Sequence, residues 1–285
     1  MDNHKIGLIT DSTCDIPPEL AEKYGIAIIP QHIIWGTQEL LDQVQITPAE
    51  FYRRLPVDPV HPKTSQPTPH DFLTLINQLK EQGAGEVVII TISNQLSGTF
   101  QSARAAAEAA DIPVTVYDAM SVSMGLGWQV LAAAEAREQG GDAAAMVAAA
   151  KRVRQTVRVY FSVDTLDYLH KGGRIGGAAR LVGTALQLKP LLAVDTTTGR
   201  VESVERTRTR AKAIQVMYKT FFEQMAPGRP LHMTVLHCDR LAEAEEIAAR
   251  VRAEFNPRRL FITEISPVLG VHAGPGALGL IGYTD

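Results

Sequence analysis

The run Val87-Val88-Ile89-Ile90-Thr91-Ile92 leads straight into Ser93-Asn94-Gln95-Leu96-Ser97-Gly98-Thr99-Phe100, and the reading of this junction decides the fold. A continuous apolar run bounded by turn residues is the pattern of a strand buried on both faces, as in a parallel sheet. From Thr99 to Ala110 the sequence is rich in helix formers, so the chain passes from strand to helix across a hydroxyl-rich turn. Ser97 falls at the helix start. Two readings fit it: a serine that caps the helix, and a cradle for a carboxylate or phosphate built from free backbone N–H groups and the positive end of the helix dipole. Gly98 permits close approach to the backbone there.

The same alternation extends in both directions. Lys5 to Thr10 reads as a strand, Asp11-Ser12-Thr13-Cys14-Asp15 as a loop, and Pro17-Pro18 as the start of a helix. Ile26 to Pro30 is the next strand, and Gln31 to Leu41 a further extended segment. Thr47-Pro48-Ala49-Glu50 has the capping-box spacing of a short helix. Pro67 and Pro69 exclude a helix or central strand, which places Thr64 and Ser65 on a loop ahead of a helix capped by Thr68 and running to about Gln82. Beyond the junction, Val114 to Tyr117 is a strand whose end carries Asp118, Ser121 and Ser123, and helices follow over 124–138 and 142–155. Strands alternating with long helices predict parallel βαβ units in a doubly wound sheet, with ligands bound beyond the carboxyl ends of the strands. The loops bearing Asp11, Ser97 and Asp118 then share one sheet edge, within reach of Thr64.

From Arg158 the pattern changes, which predicts two α/β domains, 1–157 and 158–285, the second an α+β layer. Arg158 to Phe161 is a strand and Asp164 begins a short helix. Lys171-Gly172-Gly173-Arg174-Ile175-Gly176-Gly177 ends that helix and starts another that Leu188-Lys189-Pro190 closes. Leu191 to Asp195 and Val201 to Arg206 form a hairpin. A helix over 209–225, a strand over 231–236, an amphipathic helix from Arg240 to Phe255 and strands near 260–265 and 278–283 complete it.

Across 285 residues, 28 Lys plus Arg stand against 31 Asp plus Glu, a net charge of -3 that gives no reason to expect nucleic acid. The opening residues lack an apolar signal region and no run approaches the length of a membrane span, so the protein reads as soluble and cytoplasmic, without stable membrane insertion. Cys14 and Cys238 form no CxxC pair and read as reduced, packed thiols. The eight histidines lack metal-ligand spacing, and no metal is assigned. Gly274-Pro275-Gly276-Ala277-Leu278-Gly279 matches GxGxxG, but the six residues that follow it cannot supply a dinucleotide-binding unit; its glycines read as a tight loop that presents His272. There is no GxxxxGK[ST] loop either. A serine hydrolase would use Ser97 or Ser12 as nucleophile and His272 as base, without a GxSxG elbow to support it. In Arg206-Thr207-Arg208-Thr209-Arg210 an extended chain places all three arginines on one side, either as a solvated face or, with Lys171 and Arg174, as a dock for an anion or an acidic partner.

Several stretches together resemble the DegV family of bacterial fatty-acid-binding proteins. They are Ile9-Thr10-Asp11-Ser12 with Asp15, Thr64-Ser65-Gln66-Pro67, the Leu-Ser-Gly-Thr core of 93–102, Asp118 with Ser123-Met124-Gly125-Leu126-Gly127, Asp164 to Leu169 joined to Lys171-Gly172-Gly173-Arg174, Lys189-Pro190, and His272 with Gly274-Pro275-Gly276. They span nearly the whole chain in family order. Ala119 and Ala273 stand where members often carry a hydroxyl residue. The resemblance implies the DegV-like (EDD) fold: a parallel doubly wound N-terminal domain and an α+β C-terminal domain with a long-chain fatty acid between them. It implies that Thr64, Ser97 and His272 hold the carboxylate, with Ser65, Gly98 and Thr99 beside them. It further implies a carrier without catalysis or cofactor of its own, which presents the lipid to a separate ATP-dependent fatty acid kinase for acyl phosphate formation, with Lys171, Arg174 and Arg206 as candidates for the phosphoryl group or the kinase contact. A serine esterase using Ser97 and His272, and a phosphate or nucleotide sensor, are the alternatives.

Overall fold

The computed structural model describes residues 5–182 and 188–285. Its first part runs β1 (Lys5–Asp11), a 3-10 turn (Ser12–Cys14), α1 (Pro18–Lys23), β2 (Ile26–Ile29), β3 (His32–Trp35), β4 (Gln38–Leu41), α2 (Pro48–Arg54), β5 (Lys63–Ser65), α3 (Pro69–Glu81), β6 (Ala84–Thr91), α4 (Thr99–Ala109), β7 (Val114–Asp118), α5 (Met124–Glu138) and α6 (Ala143–Thr156). It continues with β8 (Arg158–Ser162), α7 (Asp167–Lys171), a second 3-10 turn (Gly176–Leu181), β9 (Leu191–Asp195), β10 (Arg200–Glu205), α8 (Arg210–Glu223), β11 (Leu231–His237), α9 (Leu241–Phe255), β12 (Arg259–Glu264), α10 (Pro267–Ala273) and β13 (Leu278–Thr284).

The strands form three sheets. A parallel one has the order β2-β1-β6-β7, the doubly wound arrangement that the strand–helix alternation predicts. Its middle strands β1 and β6 are almost wholly buried, which is why Val87 to Thr91 carries no polar alternation. A mixed sheet has the order β10-β9-β8-β13-β11-β12, antiparallel except between β11 and β12. The third is a small antiparallel sheet, β4-β3-β5. Helices α5 and α6 lie against β6 on one side and β13 on the other. From Met124 to Leu131 every residue of α5 is buried, which accounts for the helix being apolar on all faces. Its Trp128 stacks on Phe261 of β12 with ring centroids 5.2 Å apart, and Arg259 pairs with Glu135 at 2.6 Å beside it.

Four expectations need correction. The extended segment from Gln31 to Leu41 is a hairpin, broken at Gly36, whose φ of +64° lies in the left-handed region that glycine tolerates. Thr64 and Ser65 lie on a strand, not a loop: β5 is an edge strand paired only with β3, so Pro67 and Pro69 end it without costing a ladder bond. The helix expected from Asp164 starts at Asp167, because Asp164 faces Lys189 and Arg210 instead, 3.0 Å from each. His272 sits in the last turn of a helix, α10, where the glycine pattern predicts a loop. The helix expected after the glycine run and closed by Leu188 begins as the 3-10 turn Gly176–Leu181, and its residues 183–187 lie outside the described ones.

Candidate functional site

The carboxyl ends of β1, β6 and β7 do share one edge. Asp11 Oδ2 accepts from Ile92 N at 2.8 Å, Ser121 O accepts from Ser93 N at 2.9 Å, and Asp118 Oδ2 accepts from Asn94 N at 3.3 Å, so the turn after β6 is held from both neighbours. Ser93 Oγ also donates to Gly199 O at 2.8 Å, tying that turn to the β9–β10 connection of the mixed sheet. The N-cap of α4 is Gly98, not Ser97, and no side chain caps it. Ser97 is therefore spared for other contacts.

Between this edge, the small sheet and the mixed sheet lies a cavity of about 950 Å³, counting its open mouth. Most of its wall is apolar, from Val159, Phe161, Val194, Leu236, Val268 and Ile281 among others. The polar part of the wall includes Thr64, Ser65, Ser97, His272 and Arg174, together with Thr13, Gln31, Gln66 and Ser123. Arg174 is the one permanently charged side chain among the described lining residues, and it is anchored by donating to Leu96 O at 3.0 Å and Gly172 O at 2.8 Å.

His272 Nε2 lies 3.0 Å from Thr64 Oγ1, whereas its Nδ1 is buried without a partner. Burial, then the Arg174 guanidinium and then His61, pull its pKa down to about 3, so the ring is neutral at ordinary pH. Ser97 Oγ lies 2.8 Å from Thr99 Oγ1 and makes no hydrogen bond to His272. The Ser97–His272 pair that an esterase would need is thus not formed, and no carboxylate orients the ring at Nδ1. Thr99 is fully buried behind Ser97, and Gly98 packs under the Gln66 side chain, where a Cβ would lie 3.0 Å from Nε2.

Lys171 and Arg206 are exposed and outside the cavity wall. The shared arginine side expected for residues 206–210 is not formed: Arg210 begins α8 and turns inward to Glu243 at 2.7 Å, Asp164 at 3.0 Å and Gly276 O at 2.7 Å, while Arg206 and Arg208 face solvent. Cys14 and Cys238 are free, buried thiols. No cluster of potential metal ligands occurs among the described residues, and no described helix is long and apolar enough to cross a membrane.

Two features of the site lie outside the sequence expectations. One is Gln31, buried behind Ser97 and also part of the cavity wall. The other is the support of α10. Ser266 makes no side-chain cap; instead Asp15 Oδ1 accepts from Ser266 N at 3.1 Å and Asp42 Oδ1 from Val268 N at 3.0 Å. The other oxygens take Ser123 Oγ, on Asp15, and Ser12 Oγ at 2.6 Å, on Asp42. Two carboxylates from the first forty-two residues thus satisfy the orphan N–H groups of the helix that presents His272.

Burial raises the pKa of both Asp15 and Asp42 to about 7. An acid with a raised folded-state pKa contributes stability that is complete below its unfolded value and is lost as pH rises through about 7. His272 acts in the opposite sense and in a lower window: with its pKa lowered to about 3, its contribution is lost only as pH falls below the ordinary histidine value. Between about pH 6 and pH 8 the acids dominate, so denaturant stability should fall with pH in the wild type and fall distinctly less in Asp42→Asn. Parallel slopes for the two proteins would show that Asp42 does not titrate there.

The model of the family described as "Uncharacterised protein, DegV family" matches residues 5–285. A DegV domain-containing protein of Streptomyces coelicolor is 36% identical over 281 residues, covering 97% of each chain. Among solved structures, a fatty-acid-binding DegV family protein of Thermus thermophilus superposes with a TM-score of 0.91 at 36% identity, covering 99% of this chain and 100% of that one. DegV of Bacillus subtilis, a fatty acid binding protein, superposes with a TM-score of 0.90 at 31% identity and the same coverage. The mixed α/β architecture, the loops gathered at one sheet edge and these matches along the whole chain lead to one assignment: the chain belongs to the DegV family.

Proposed function

We propose that this protein binds a long-chain fatty acid in the cavity, with its carboxylate at Thr64, Ser97 and His272 and its tail along the apolar wall, and presents it to a separate ATP-dependent fatty acid kinase. One observation carries the reading: two hydroxyls and a neutral imidazole, with the Arg174 guanidinium, line one cavity whose wall is mostly apolar. A buried carboxylate needs hydrogen-bond donors, and Arg174 places a positive charge nearby. The binding of fatty acids by the Thermus and Bacillus relatives supports the same ligand class. Residues 1–157 and 158–285 serve as the two domains that enclose it. Each methylene buried contributes about 0.8 kcal/mol and each charge-assisted hydrogen bond about 1.5–3, so the tail supplies most of the affinity and the head fixes the orientation.

In this reading the protein is a cytoplasmic carrier with no catalysis and no cofactor of its own, and the kinase supplies the nucleotide site. Exposed Lys171 and Arg206 are the candidates for the kinase contact, with Arg174 at the head of the ligand. Mass spectrometry of the organic extract tests the first step. Wild type purified without detergent should carry near-stoichiometric fatty acid, and Ser97→Ala/His272→Ala should be depleted. An extract that stays empty after incubation with a fatty-acid panel would refute the reading. For the second step, Arg206→Ala should retain fatty acid but lose phosphorylation by the kinase; loss of binding instead would place Arg206 in the site.

A further inference from the structure

Gln31 stands between β2 and β3 and is 2% exposed. Its backbone is fixed at both ends: N–H donates to Ser12 Oγ at 3.0 Å, and the carbonyl accepts from Asp42 N at 2.9 Å. Its side-chain Nε2 donates to Thr99 Oγ1 at 2.9 Å. With Nε2 on Thr99, the NH2 end of the amide is also the end that suits the nearby Asp11, whose pKa burial raises and the Gln31 side chain helps to lower.

The consequence is a directed chain of protons. Thr99 Oγ1 receives a hydrogen from Gln31, and its remaining hydrogen-bond contact is Ser97 Oγ, 2.8 Å away. The single hydrogen of the Thr99 hydroxyl therefore goes to Ser97. Ser97 Oγ, which also accepts weakly from Thr99 N at 3.4 Å, keeps its own hydrogen free for the cavity. The arm through His272 has the same polarity. Nδ1 is buried, without a partner, and packed on Gly172. A lone pair is tolerated in that position better than an orphaned N–H, so the proton sits on Nε2 and is donated to Thr64 Oγ1, leaving the Thr64 hydrogen for the ligand.

We propose that Gln31 is a positioning residue that sets the hydrogen direction of the Thr99–Ser97 arm, so that Ser97, like Thr64, turns a donor to the head group and the pair selects an acceptor-only head, the ionised carboxylate, over the amide of the same acyl chain. This rests on the fatty-acid reading of the cavity and adds its head-group selectivity. In an amide, an NH2 replaces one carboxylate oxygen and meets a hydroxyl hydrogen instead of a lone pair, leaving donors unpaired on both sides.

Equilibrium dialysis with palmitate and palmitamide tests it on wild type, Gln31→Met and Thr99→Val. Wild type should prefer palmitate by about 10- to 100-fold, the range that one or two unpaired buried donors produce. Each variant should raise the palmitate Kd roughly tenfold while the palmitamide Kd stays within about twofold, because the tail contacts are intact. If Gln31→Met fails to fold, Thr99→Val, which keeps the side-chain shape, decides alone. Equal weakening of both ligands would mean that Gln31 merely holds the turn, and unchanged palmitate binding that it does nothing at the head; either overturns the proposal. Wild type that binds neither ligand would instead remove the fatty-acid reading and this inference with it.

Discussion

Gly172→Ala is expected to raise the fatty-acid Kd by roughly 10- to 100-fold while the protein stays folded. A Cβ at this position would overlap His272 Nδ1 and lie 2.7 Å from Cε1. The imidazole is hydrogen-bonded to Thr64 on one side and carried by α10 on the other, so withdrawing from the added Cβ takes it off Thr64. Gly172 has φ −76°, so alanine adopts the backbone without strain and the effect is a clean steric one. Overpacking of this kind costs about 1–3 kcal/mol, and here the ring relieves it by leaving the head-group position. Fatty-acid titration beside a thermal melt separates the outcomes. A wild-type Kd in the variant would show that His272 is not needed where the structure places it.

Asp42→Ala should produce the largest loss of stability of any single change near the cavity, roughly 2–4 kcal/mol, with a melting temperature lower by about 5–10 °C. The truncation leaves Val268 N and Ser12 Oγ without their acceptor and opens a void in a fully packed region. Asp42→Asn keeps an oxygen for Val268 N and should lose far less at neutral pH. Because Val268 is in the first turn of α10, the alanine variant should also bind fatty acid more weakly through a loosened His272. Similar melting temperatures for the alanine and asparagine variants would show that the carboxylate does not cap α10.

The parts of this fold that were legible in the sequence are those decided locally. Thr47 with Glu50 forms the capping box its spacing predicts and Thr68 caps α3 as expected, with Asp71 completing a second box, because a cap is satisfied within four residues. The apolar runs of β1 and β6 announced a parallel sheet, since strands buried on both faces cannot alternate. What stayed hidden depends on partners far along the chain. The three residues of β5 carry no periodicity, and only pairing with β3 makes them a strand. Pro267 to Ala273 contains valines and a glycine, poor helix formers, and its helical state rests on Asp15 and Asp42, more than two hundred residues earlier. Gln31, between Pro30 and His32, belongs to no motif; its importance comes from Asp11 and Thr99, which tertiary structure brings to it. The family resemblance names Thr64, Ser97 and His272 as candidates, but nothing local in the sequence shows that Ser97 meets the buried Thr99 or that Thr64 meets His272.

The place of β13 in the mixed sheet has a consequence for synthesis. It is the last strand to be made, yet it lies between β8 and β11, pairing with both. A nascent chain that has reached Glu264 therefore holds two unpaired, largely apolar strand edges facing a gap that only later residues fill. The same interval delivers His272, so the ability to hold a ligand and the closure of the sheet arrive together. Ribosome pausing or truncation before Leu278 should leave a chain prone to aggregate, because both edges stay open until β13 is made.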